Sequence, residues 1–97
     1  MQTSLADDTD SNNFRPGVYE HYKGGLYLAI KLTRHHETKA LLVDYVQLST
    51  GTGWSREWAT PGAKSWTDFV PYRDRFGNLT GEMVPRYKFK WPMHYVR

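Results

Sequence analysis

Residues Gly17 to Tyr27, Gly-Val-Tyr-Glu-His-Tyr-Lys-Gly-Gly-Leu-Tyr, constrain this chain more than any other stretch. Tyr19, His21 and Lys23 alternate with Val18, Glu20 and Tyr22, which is the period-two pattern of a pleated strand. Gly24-Gly25 then supplies two residues that take positive φ without steric cost, as a tight hairpin requires. The segment reads as strand, turn, strand and sets the fold class as β. It also crowds rings, an imidazole and an ammonium around one turn, where a ligand could meet them.

The other strands follow from the same pattern. In Leu26 to Thr33 the alternation puts Leu26, Leu28, Ile30 and Leu32 on one face and Tyr27, Lys31 and Thr33 on the other. Ala40 to Leu48 is apolar on both faces, so it reads as a central strand. Trp54, Arg56 and Trp58 alternate with Ser55 and Glu57 in a short fourth strand, and Thr60-Pro61-Gly62 breaks it. Ser65 to Phe69 reads as one helical turn, with Ser65 or Thr67 as its cap. Val84 to Trp91 reads as a last strand, with Lys88 and Lys90 guarding an edge. About five strands with at most one helical turn predict a mainly β domain. The expected form is a small antiparallel, partly open barrel, SH3-like before OB-like.

Size and charge refine this expectation. A chain of 97 residues makes one small domain, and its 15% of aromatic residues must supply much of the core. Residues 1–13 are polar and acidic without periodicity and read as a disordered arm, leaving 14–97 as the single folded domain. The arm holds Asp7, Asp8 and Asp10; without them thirteen basic side chains face seven acidic ones, a formal +6. A basic body favours anionic partners. There is no cysteine, hence no disulfide or thiolate metal site. No apolar run reaches the ~20 residues of a membrane helix, and the N-terminus lacks a signal-peptide pattern. These features point to a cytoplasmic protein.

The opening hairpin, Gly17-x-Tyr19-x-His21-Tyr22-Lys23-Gly24-Gly25-x-Tyr27, resembles that of the bacterial and phage domain-of-unknown-function family 1653. The similarity continues through His36-Glu37-Thr38, Val43-Asp44-Tyr45 and Trp54-Ser55-Arg56. It becomes looser at Trp66 to Phe69 and Pro85 to Phe89. The resemblance implies a small β domain and brings no function with it.

Three functions compete at this level. The first is non-enzymatic binding of a nucleotide or other small phosphate-bearing ligand, with Tyr19, His21, Lys23, Tyr45, Trp54 and Arg56 as the binding residues. Arg56 and Lys23 would hold the anion, Tyr19 or Tyr45 would stack on a base, and His21 would donate a hydrogen bond. The second is a protein-interaction module, a small phage-type regulator or inhibitor, that offers Trp54, Trp58 and Tyr45 as an aromatic groove. The third is a hydrolase using His21 oriented by Glu37 or Asp44, although no nucleophile stands in a recognised catalytic setting. No catalytic, metal or cofactor residues are assigned, because adjacent His35 and His36 point apart if extended. The basic residues are scattered singly, which disfavours a long nucleic acid strand. Sheet edges on so small a domain are compatible with a homo-oligomer.

Overall fold

The structure, a computed structural model, describes residues 14–93, so the acidic arm expected at 1–13 lies outside the described residues. Seven strands run in chain order: β1 (Gly17–His21), β2 (Leu26–Arg34), β3 (Leu41–Gln47), β4 (Gly53–Glu57), β5 (Phe69–Arg73), β6 (Leu79–Pro85) and β7 (Tyr87–Pro92). Five of them form an antiparallel sheet in the order β4-β3-β2-β1-β7, and β5 and β6 form a separate hairpin. The domain is mainly β, as the sequence predicts, and the sheet stays open, with β4 and β7 at opposite edges. β3 is interior and β7 is an edge strand, where Lys90 pairs with Glu20 at 3.7 Å.

The β1–β2 turn closes through His21 N–H to the Gly25 carbonyl and Gly24 N–H to the His21 carbonyl. Gly24 and Gly25 both take positive φ, 99° and 92°. The second strand departs from its expected pattern. Ala29 pairs with Tyr45 and Lys31 with Asp44, so Ile30 is an extra residue, a β-bulge. The bulge shifts the phase of the strand: Ala29 is buried, Tyr27 and Leu32 pack against the core, and Ile30 is exposed. Strict alternation had put Ile30 inside.

The core lies on one face of the sheet, where Tyr19, Ala29, Val43, Tyr45 and Tyr87 are buried with Trp58 and Trp66. The two tryptophans come from the connection after β4, which folds back over the sheet. Trp66 N–H bonds the Glu57 carbonyl and Thr67 N–H bonds the Trp58 carbonyl. Buried Ser65 donates its hydroxyl to the Thr60 carbonyl at 2.7 Å. The helical turn expected over Ser65 to Phe69 is a single tight turn. Asp68 accepts the Ser65 N–H on its carboxylate and returns its own N–H to the Ser65 carbonyl. One carboxylate completes that turn, so no helix has to follow.

The expected last strand is in fact two. β6 ends at Pro85 and β7 starts at Tyr87, and Arg86 between them donates its N–H to the Asp68 carbonyl. β5 was missed because Phe69-Val70-Pro71-Tyr72-Arg73 contains a proline and lacks alternation. Asp74 organises the hairpin tip by accepting the N–H groups of Phe76 and Asn78, at 2.9 and 3.0 Å.

Candidate functional site

The registers bring a histidine, an arginine and four tyrosines to the covered face of the sheet. His21 ends β1 opposite Tyr87 of β7, and Tyr19 lies opposite Tyr27 of β2. Tyr45 of β3 pairs with Ala29 on one side and Trp54 on the other, while Arg56 of β4 pairs with Val43. Trp66 lies flat on Tyr87, with ring centroids 3.7 Å apart and planes 3° from parallel. It meets Tyr45 and Tyr19 edge-on at 5.0 and 5.1 Å. Such edge and offset contacts suit the ring quadrupoles and add to the area buried. His21 abuts Tyr87 at 4.9 Å, and Tyr27 touches both Tyr45 and Tyr87 at 5.7 Å.

Arg56 reaches into this cluster. Its guanidinium carbon lies 5.5 Å from the centre of the Tyr87 ring, and one terminal N–H bonds the Lys64 carbonyl at 2.7 Å. Burial works against its charge, but the phenols of Tyr45 and Tyr87 outweigh burial and hold its pKa above the ordinary value. Its Nε is buried without a hydrogen-bond partner, and so are Arg86 Nε and Trp66 Nε1. Unpaired buried donors are costly and invite an acceptor. Among the described residues Arg56 forms no ion pair, whereas Arg86 is 3.7 Å from the Asp68 carboxylate.

His21 gathers the field of these cations. Its pKa is lowered first by burial and then by repulsion from Arg56, Arg86 and Lys23. The Lys23 backbone N–H donates to His21 Nδ1 at 3.2 Å. With Nδ1 an acceptor, the neutral ring carries its proton on Nε2 and presents a donor there. Burial, followed by the closeness of Tyr45, also pushes the Tyr87 phenol well up, so it stays a neutral donor at physiological pH.

Of the six residues expected to bind, His21, Tyr45 and Arg56 converge through Tyr87. Lys23 sits at the turn with its ammonium 5.7 Å from the Tyr22 ring, on the side of the β5–β6 hairpin. Tyr19 belongs to the core: its ring is wedged between Trp66 and Phe89, and its hydroxyl donates to the Arg15 carbonyl. That leaves it no free face for stacking. Trp54 is 53% exposed and lines a shallow hollow with Ile30, Asp44, Val46 and Ser55. The groove expected from Trp54, Trp58 and Tyr45 is not presented, because Trp58 and Tyr45 are buried.

The histidine–carboxylate pair expected of a hydrolase is absent among the described residues. Asp44 is taken up by the hydroxyls of Thr33 and Ser55, at 2.8 and 2.9 Å, and His21 Nδ1 faces a backbone amide. His35 and His36 do not point apart: in their turn the rings are 5° from parallel at 6.0 Å. No group of three or more potential His, Asp or Glu metal ligands gathers among the described residues. Sequence reasoning missed Arg86, Tyr87 and Trp66 as site members. Tyr87 was legible only as one ring of a β-edge, and nothing local distinguishes Arg86 from the neighbouring basic residues.

The model of a protein family of unknown function, DUF1653, matches residues 17–89. The chain is similar to a crystal structure of a DUF1653 protein from Bordetella bronchiseptica, with a TM-score of 0.65 and 29% sequence identity, over 84% of this chain and 94% of that one. A search of curated proteins finds no match.

Proposed function

The chain belongs to the DUF1653 family of proteins of unknown function, and from that premise we propose that it is a non-enzymatic binding module for a nucleotide or another small phosphate-bearing ligand. One observation carries the reading. Arg56 reaches a wall of tyrosines with a buried, unpartnered Nε and forms no ion pair among the described residues, while its charge and those of Arg86 and Lys23 bear on His21. A phosphate there gives the orphaned donor an acceptor and offsets the mutual repulsion of the cations. Tyr27, only partly buried, borders the same ground and supplies a ring for a base. A cytoplasmic setting fits such a ligand, and no helix among the described residues is long and apolar enough to cross a membrane.

The test follows the His21 imidazole by NMR as pH is lowered, with and without inorganic phosphate or adenosine monophosphate. Bound phosphate should raise the depressed His21 pKa, and Arg56→Gln should abolish that rise and weaken binding by about 10-fold or more. Arg56→Lys keeps the charge but loses the planar fork, so it should fall between the two. Affinity should depend only shallowly on salt, since few phosphates are met. An imidazole titration unmoved by millimolar phosphate and nucleotide would sink the reading.

His21 also leaves a mark on stability in the free protein. Its folded pKa lies below the unfolded value of about 6.5, so the unfolded chain takes up the proton first. Stability is complete above about pH 6.5 and falls as pH drops toward the folded pKa. His21→Gln should flatten that part of a denaturation–pH profile.

A further inference from the structure

A cleft lies beside the β1–β2 turn, between it and the β5–β6 hairpin. It has a volume of about 510 Å³ and is lined by Tyr22, Lys23, Val70, Pro71, Arg73 and Leu79. That volume is within the usual range of small-molecule sites. Its walls come from elements far apart in sequence, so the fold rather than local chain geometry assembles it. Val70, Pro71 and Leu79 provide apolar surface, and the Tyr22 ring provides a flat wall. Leu79 is 61% exposed and covered by nothing among the described residues.

The charged groups are of one sign. Lys23 and Arg73 line the cleft, and no carboxylate lines it with them. Arg73 donates one terminal N–H to the Gly77 carbonyl at 2.8 Å, which steadies the guanidinium and leaves further donors free. Neither cation forms an ion pair among the described residues. Two like charges facing shared apolar ground complement a ligand with a negative end and a flat, uncharged body.

We infer that this cleft binds an anion carrying a planar apolar body, an aromatic carboxylate or an aryl phosphate, with Lys23 and Arg73 on the anionic group and Tyr22, Pro71 and Leu79 against the ring. The cleft adjoins the proposed phosphate site through Tyr22 and Lys23, which neighbour His21, but Arg56 takes no part in lining it.

The experiment is an NMR titration of backbone amides in the full chain with benzoate, phenyl phosphate and, as the neutral comparison, phenol. Saturable shifts are expected at Lys23, Val70, Arg73 and Leu79 with both anions. A preference for benzoate or for phenyl phosphate identifies which anionic group the cleft takes. Lys23→Gln and Arg73→Gln should each weaken benzoate binding at the cleft up to about fivefold, as expected for exposed charge pairs. Lys23→Gln guards against a misfolded hairpin, because Lys23 makes no side-chain hydrogen bond within the described residues. Shifts confined to His21, Tyr45 and Arg56 would overturn the inference, as would phenol binding as well as the anions do. Binding indifferent to both charge changes, or no shift with either anion, would overturn it too.

Discussion

The five-stranded sheet and the β5–β6 hairpin are built from similar residues and reach opposite outcomes. On the sheet, Tyr19, Tyr45, Trp66 and Tyr87 are all less than a tenth exposed. On the hairpin, Phe69, Phe76, Leu79 and Met83 are all more than half exposed, and Val70 alone is buried. The difference is a cover. The connection after β4 returns over the sheet and inserts Trp58 and Trp66, whereas no segment among the described residues lies over the outer hairpin. Apolar content therefore does not by itself tell core from surface; it matters whether the chain comes back over it. A two-stranded ladder without a cover is only marginally stable alone, and this one is tied to the sheet mainly through Asp68 and Arg86.

The largest expected effect tests the cover itself. Trp66→Ala removes the ring stacked on Tyr87 and should cost about 3–5 kcal/mol in chemical denaturation, the range for buried aromatics. A loss below about 1 kcal/mol would mean that the sheet does not rely on this connection. Next comes the edge of the sheet. Gly17 has φ 155°, and a Cβ there would lie 2.2 Å from the Trp91 carbonyl oxygen. Gly17→Ala should therefore cost about 1–3 kcal/mol, by steric strain and loosened β1–β7 pairing, seen as faster amide exchange in β7. The smallest effect belongs to the hairpin. Phe76 is 75% exposed, and Phe76→Ser should change stability by less than about 0.5 kcal/mol. A larger loss would show that the hairpin is covered after all, and the contrast would fail.

The same contrast explains what the sequence revealed. The β1–β2 hairpin, the interior position of β3 and the edge position of β7 were legible because local alternation and glycine placement determine them. The phase of β2 was not: Tyr27 and Ala29, rather than Leu26 and Leu28, face the core, and a bulge at Ile30, which has no local signature, then brings Leu32 to the core side. β5 and β6 were hidden by Pro71, Pro85 and an apolar distribution that never meets a core. The site was legible in the same measure. His21, Tyr45 and Arg56, three of the six residues expected to bind, do come together around Tyr87. Tyr19 and Trp58 look identical on paper to exposed rings, and only the return of the chain at Trp66 shows them to be interior. Arg86 enters the site through its contact with Asp68, a non-local pairing that no sequence spacing encodes.

The four tryptophans have an optical consequence. Trp58 and Trp66 are 5% and 2% exposed, while Trp54 and Trp91, on the two edge strands, are about half exposed. Indoles in an apolar interior emit at shorter wavelength than indoles in water, so the emission of the folded chain should be a composite. Iodide should quench its red side and spare its blue side. Because Trp66 lies flat against Tyr87 amid further tyrosines, light absorbed by those phenols has a nearby acceptor, and tyrosine emission should be weak until the chain unfolds. The domain thus carries its own label for the state of its interior and a separate one for its two edges.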